Sequence, residues 1–485
     1  MIRRRFLSAA AAFAAGINPV TNMGFAAGVR TGENRRNQQL VSQGLRIRDV
    51  VKILEKGERF NTPPEIREEI LDNPDAVFII KANIQTRRLD NGGFAPVPDQ
   101  MERLGRRITA LLFRKSSASG GRTFLKPNLV GGLTKGRPVE YPHGGIVHPF
   151  FIAGFSDGLH ILGNTNTAVG ARGGLRHPQV VESGLGDLFS EHSIPLLEAH
   201  VQYFSDYDRN ELNWHECPEG VIQRRFCTYR PVFEPGTTFV NIAHTHFHWV
   251  AHLTLSMKNL QGIMPRGYGH ICDDWTSLSL WRANLMDDFN PDYRRVVESL
   301  YNRHAAEGYK HWDIGGYVKT YRAAGGYNAF MDAYRAYKNS AGEARKKNLE
   351  RLYEIADHRL FLTEIWAQRM MDIVGTLPQP ALNIIEGVFA RGLDTGVVHT
   401  DFLTVGRSMM SVDVVTSWML GHDPRELPFL RVARERGIGE NDIERIPLFY
   451  LDERGITKIT DYRNLPRHPI GVGIYNHTEL GANYF

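Results

Sequence analysis

The chain is short of cysteine. Among 485 residues only Cys217, Cys227 and Cys272 carry thiols. Three thiols do not build a disulfide framework, and without a Cys-x-x-Cys spacing a cysteine-ligated iron–sulfur cluster is not expected. Cys217 and Cys227 are candidates for pairing in an oxidising compartment, which spacing alone leaves open. Long apolar runs are missing too, so no stable membrane span is expected. Charge of one sign is scarce. The formal net charge is +5, and removing Arg3, Arg4 and Arg5 leaves 55 basic against 53 acidic residues. Such a balance gives no electrostatic case for nucleic acid or an anionic membrane surface. Neither G-x-G-x-x-G nor the P-loop pattern occurs.

Acidic residues are absent before Glu33. Arg3-Arg4-Arg5-Phe6-Leu7 is followed by the Ala-rich run Ser8 to Gly16 and the small-x-small site Gly24-Phe25-Ala26. This order resembles a twin-arginine export signal. It implies a periplasmic or secreted protein, a signal over 1–26, and a twin-arginine translocase as partner during export. The plain alternatives are a disordered basic N-terminus and an organelle transit peptide, which is equally Arg-rich and acid-poor.

The composition, 42% hydrophobic and 23% charged, is that of a globular protein. Residues 27–75 read as an N-terminal arm and helices, with Thr62 and Pro63 opening a helix that Asn73-Pro74 stops. Val77 to Ile80 fits a buried strand. Met101, Leu104, Ile108, Leu111 and Leu112 give 99–113 a helical face. Arg122 to Leu129, Leu159 to Leu162, Ile194 to Leu197 and Thr238 to Ala243 read as strands, and Asn164 to Gly174 as a Gly-rich loop. Val180 to Phe189 reads as a helix. The alternation predicts an α/β fold with a largely parallel sheet core and flanking helices. Residues 76–272 form the first part of that core. Residues 273–360 hold nine of the 18 tyrosines and few β-branched residues, which predicts a helical insertion. The α/β pattern returns over 361–440, through Leu382 to Ile385, Phe402 to Val405, and a helix from Glu426 to Arg436 closed by Gly437. Residues 441–485 read as a turn-rich tail.

Chemistry concentrates in three places. His244, His246, His248 and His252 fall within nine residues. On a strand the first three share a face, with neighbours ~7 Å apart and the outer pair roughly 13 Å apart. Two imidazoles therefore reach one ion and three do not, so His244, His246 and His248 are metal candidates only with remote ligands. Imidazole suits a divalent transition metal such as zinc, copper, iron or nickel. The plain alternative is a polar strand whose histidines bond to backbone. Lys258-Asn259 follows, in an apolar context that favours a base or anion contact by Lys258. Lys126-Pro127-Asn128 ends a strand, where open α/β sheets bind ligands.

These pieces, in order, resemble the family that shares domain of unknown function 362. The matching segments are Lys126-Pro127-Asn128, the 163–174 loop with Glu182-Ser183-Gly184-Leu185, Phe239 to His246, Leu255 to Gly262 with His270, Leu382 to Gly387, and Val405 to Pro424 with Gly437-Ile438-Gly439. The resemblance implies an α/β domain of largely unassigned activity. Some relatives carry a ferredoxin-like cluster domain, and this chain lacks those cysteines. His244-Thr245-His246 stands where the family often has Lys-Thr-His, and Glu386 where it often has Asp. The expected site gathers Lys126, Asn128 and Asn259 as substrate contacts, Lys258, His270 and Glu386 as catalytic groups, and Asp413 as a buried partner that fixes a loop. An exported enzyme acting on a small anionic molecule is the first reading. A non-catalytic ligand-binding or cofactor-handling protein is the second.

Overall fold

The computed structural model describes residues 65–88, 94–115, 121–129, 145–172, 183–200, 212–248, 251–265, 290–291, 335–337, 339–392 and 396–471. The strands used below are β1 (Val77–Lys81), β2 (Arg122–Pro127), β3 (Thr167–Arg172), β4 (Leu196–His200), β5 (Leu212–Glu216), β6 (Arg225–Tyr229), β7 (Thr237–His248), β8 (His252–Thr254), β9 (Leu382–Gly392), β10 (Gly396–Gly406), β11 (Leu448–Asp452) and β12 (Gly455–Ile459). The helices are α1 (Pro98–Leu112), α2 (Pro149–Ile161), α3 (Leu185–Glu191), α4 (Ser256–Asn259), α5 (Gly342–Thr376), α6 (Met409–Met419) and α7 (Pro428–Glu435). The expected α/β class, a sheet core flanked by helices, is the class observed.

The chain divides into two compact units. The first holds Ile84–Ala199 and Glu234–Thr238 with the chain up to Arg67. Its strands run in the order β2, β3, β4, and β2 pairs β3 in parallel. Pro98 opens α1 with its fixed φ. The apolar face Met101, Leu104, Ile108, Leu111 and Leu112 is fully buried, each side chain contributing roughly 2 kcal/mol of transfer free energy. That face meets α2 along a seam of small residues. A Cβ on Gly105 would fall 2.2 Å from the Phe151 carbonyl oxygen, and one on Gly154 1.9 Å from that of Glu102. The two backbones thus touch, and Thr109 Oγ1 donates across the seam to the Phe155 carbonyl at 3.0 Å.

Two expectations change here. Leu159 to Leu162 is no strand: residues 159–161 are the last turn of α2. Pro149 sets the helix start, His148 Nδ1 accepts from the Phe150 amide at 3.3 Å, and the long apolar run is buried. A short apolar run cannot by itself separate strand from buried helix. Much of the expected Gly-rich loop is strand β3. Gly170 lies there because a Cβ would meet the Phe124 ring at 2.3 Å.

The second unit holds Glu68–Asn83, His200–Phe233 and Phe239–Phe485. Its strand order is β12, β11, β1, β10, β9, β7, with β8 pairing β7. β7 with β9 and β11 with β1 are parallel, while β9–β10, β10–β1, β11–β12 and β7–β8 are antiparallel. The tail read as turn-rich thus supplies two strands, β11 beside buried β1 and β12 at the edge. α6 is buried along nearly its whole length. Gly437 closes α7 with φ 68, and the Ile438 amide reaches back to the Ala433 carbonyl at 2.9 Å. The described parts of 273–360 are helical at 335–337 and from Gly342 onward. One helix, α5, runs through the boundary expected at 360. The expected signal over 1–26 lies outside the described residues.

Candidate functional site

The site begins with a break in register. β7 and β9 run in step from Val240 against Leu382 to His244 against Glu386, and then Thr245 pairs with Ala390. Gly387-Val388-Phe389 therefore bulge out of β9. Opposite them on β10, Asp401 takes the left-handed conformation, φ 57. Gly387 is required because a Cβ would lie 2.6 Å from the Phe402 ring. Side chains lock the bulge. Thr245 Oγ1 donates to the Phe389 carbonyl at 2.8 Å, Thr400 Oγ1 donates to the Gly387 carbonyl, and the Val388 amide donates to Glu386 Oε1 at 2.9 Å. Bulges of this kind re-aim side chains and are common beside active sites.

At this break sits a buried pair. His244 Nδ1 lies 3.0 Å from the Glu386 carbonyl oxygen and 3.2 Å from Glu386 Oε2, and both residues are 2% exposed. A carbonyl oxygen only accepts, so Nδ1 carries a proton and donates it there. A carboxylate that fixes a histidine tautomer is the usual support for a proton-transfer or metal-ligating imidazole. The pair lies toward the carboxyl ends of parallel β7 and β9, where α/β sheets present ligand sites. The half-buried His246 ring is stacked on His244, with centroids 6.1 Å apart. His248 serves the hairpin: its Nδ1 accepts from the Ala251 amide at 3.2 Å, and its register partner is fully buried His252, φ 62.

Beyond the hairpin, α4 is held from α6. Asp413, fully buried, accepts from the Ser256 amide at 2.7 Å and the Met257 amide at 3.0 Å. Burial pushes its carboxyl up to about 7, outweighing the hydrogen bonds that pull it down. Asn259 Nδ2 donates to Asn241 Oδ1 at 2.8 Å and the Ile242 carbonyl at 3.0 Å. Asn241 in turn donates to Asn383 Oδ1 at 3.0 Å. The Asn259 amide nitrogen, expected to contact substrate, thus ties α4 to the sheet. Lys258 is half-buried in α4. Lys126 lies near the end of β2 in the first unit, and Asn128 follows its last residue. Both are buried, and Lys126 Nζ donates to the Pro127 carbonyl at 2.9 Å. His270 lies outside the described residues.

Two further features escaped the sequence reading, and the pairing of Cys217 with Cys227, left open there, is now decided. Among the described residues, the group of three metal-capable side chains with ligand atoms within 4.8 Å of one another is Glu102, Asp157 and His192. These residues are spread over ninety positions and each reads as an ordinary helix-surface charge. The only local signal is Asp157-x-x-His160, one helical face of α2. Asp372 in α5 is fully buried and accepts from the amides of Val221, Ile222 and Gln223 at 2.8, 2.9 and 2.9 Å, with Arg436 Nη2 at 2.8 Å. Cys217 and Cys227 are both buried and form no disulfide with each other. In the β5–β6 hairpin the Cys217 amide bonds to the Arg224 carbonyl, three residues from Cys227. That offset is ~10 Å along the strand, too far for a bridge.

No helix among the described residues is long and apolar enough to cross a membrane. Comparison with curated proteins and with solved structures gives no match. Residues 123–417, more than half of the chain, match one family, and they include the bulged β7–β9 pair, α4 and all of β2 after Arg122. The chain belongs to the family described as Domain of unknown function (DUF362).

Proposed function

We propose that the protein is an enzyme of acid–base chemistry on a small anionic molecule, with His244 as its proton carrier. The observation that carries this reading is the buried His244–Glu386 pair at the β9 bulge. Glu386, with one oxygen toward the Val388 amide and the other toward His244, fits a carboxylate that orients His244 better than the catalytic group expected from sequence. Nε2 of His244 is then the atom that accepts and returns a proton. Lys258, half-buried on α4, supplies positive charge for the anionic group. His270 stays a candidate for a second acid–base group. The Arg3-Arg4 pattern assigns the work to the periplasm or the exterior, after export by the twin-arginine route.

A second reading has one observation in its favour. The neighbouring His246 ring supplies a second imidazole 6.1 Å from His244. A divalent transition metal on the two rings, with Glu386 behind His244, would serve a ligand-binding or cofactor-handling role.

Thermal-shift titration of the exported protein against small carboxylates and phosphates tests the first reading. At least one anion should raise the melting temperature by several degrees, and His244→Ala and Lys258→Ala should each remove that rise. Equal shifts in the variants, or no shift with any anion, overturn it. Elemental analysis of the same sample separates the second reading.

A further inference from the structure

The first unit carries a cluster that the His244 site does not use. Glu102 on α1, Asp157 on α2 and His192 at the C-cap of α3 converge, each half-buried, with ligand atoms within 4.8 Å of one another. His192 Nδ1 lies 3.0 Å from each Asp157 carboxylate oxygen. Arg106 Nη1 stands between the acids, 2.6 Å from Glu102 Oε1 and 2.9 Å from Asp157 Oδ2. A cation's place is thus already built, and a guanidinium fills it. Glu191 and His160 bring further charge to the same spot, the first repelled by Glu102 and the second attracting Asp157. Arg106 thus meets two carboxylates, Glu102 and Asp157, which leaves one negative charge unmatched when His192 is neutral.

We propose that Glu102, Asp157 and His192 form a binding site for a divalent transition metal such as zinc, with Arg106 as the resident cation that the metal displaces. The ligand set, two carboxylates and one imidazole, suits zinc with a water completing the shell. Ligands at ~2.1 Å from one ion stand roughly 3–3.5 Å apart, the spacing already present between His192 and Asp157. Arg106 has room to leave, since its side chain is 36% exposed. Both Asp157 oxygens already face the place of the ion, each 3.0 Å from His192 Nδ1 and one of them 2.9 Å from Arg106 Nη1. The site lies apart from the His244 strand in sequence and in compact unit, and the proposal does not rest on the acid–base reading.

The test is zinc titration of the metal-free full chain, with cobalt absorption as a second reading of the coordination shell. Wild-type protein should bind one equivalent of Zn²⁺ that is lost, by about 100-fold or more in affinity, in His192→Ala and in Asp157→Asn. Arg106→Gln should bind tighter by about tenfold, because the competing charge is gone. That gain cannot come from a damaged fold. His244→Ala should leave this equivalent in place. Zinc binding that ignores His192→Ala, that vanishes only with His244→Ala, or that weakens in Arg106→Gln overturns the proposal.

Discussion

Asp413 illustrates what a single buried group does at the residue scale. Its carboxyl titrates at about 7 in the fold against an ordinary value near 4. Between those values the folded chain keeps a proton that the unfolded chain has released. Stability from this group is therefore full below about pH 4 and is lost as pH rises toward 7, by several kcal/mol at most. His215 and His422, pushed down to about 4 chiefly by burial, act the other way, adding stability as pH rises from about 4 to 6.5. The Asp413→Asn variant isolates the carboxyl. Relative to wild type, its urea midpoint should rise from pH 4.5 to pH 7.5, and an unchanged difference would count against a buried titrating carboxyl. The residues of this site were partly legible. His244 stood out by its neighbours and Glu386 through the family resemblance. Their pairing was not legible, because it depends on a bulge that brings together positions 142 residues apart. The metal-capable trio was silent for the same reason, its members coming from three helices.

Among elements, the α1–α2 seam makes the sharpest demand. Gly154 faces the Glu102 backbone with no space for a methyl group, and backbone does not step aside as a side chain does. Gly154→Ala should cost about 2–4 kcal/mol in urea unfolding and move Glu102 away from Asp157, weakening zinc uptake in step. Retained stability would mean that the helices pack more loosely than described. Strand and helix periods were readable where the chain is half-buried, as in α1, with its single apolar stripe. They failed where burial is complete or where partners are remote. α2 is apolar on nearly every side, so its end looked like a strand. β11 and β12 carry polar faces in a turn-rich stretch, and only pairing with β1 makes them part of a sheet.

For the whole molecule, the first prediction concerns residence. Mass spectrometry of the exported protein should show a chain beginning after about residue 26, and changing Arg3 and Arg4 to Lys should hold it inside the cell in a folded state. A mature chain that still carries Met1 would contradict the signal. The α/β class was legible from alternation alone, whereas the division into two units was not, since each gathers segments distant in sequence. The long helix α5 has a consequence for any attempt to shorten the protein. It is 35 residues of continuous rod, and its far end is pinned through Asp372 to the 221–223 loop and to Arg436. Along such a rod each residue advances ~1.5 Å and turns ~100°. Deleting one residue therefore swings everything upstream by more than a quarter turn, whereas deleting seven returns the phase to within ~20°. Residues 335–337, just upstream of the rod, keep their facing only when a cut inside Gly342–Thr376 respects that pitch.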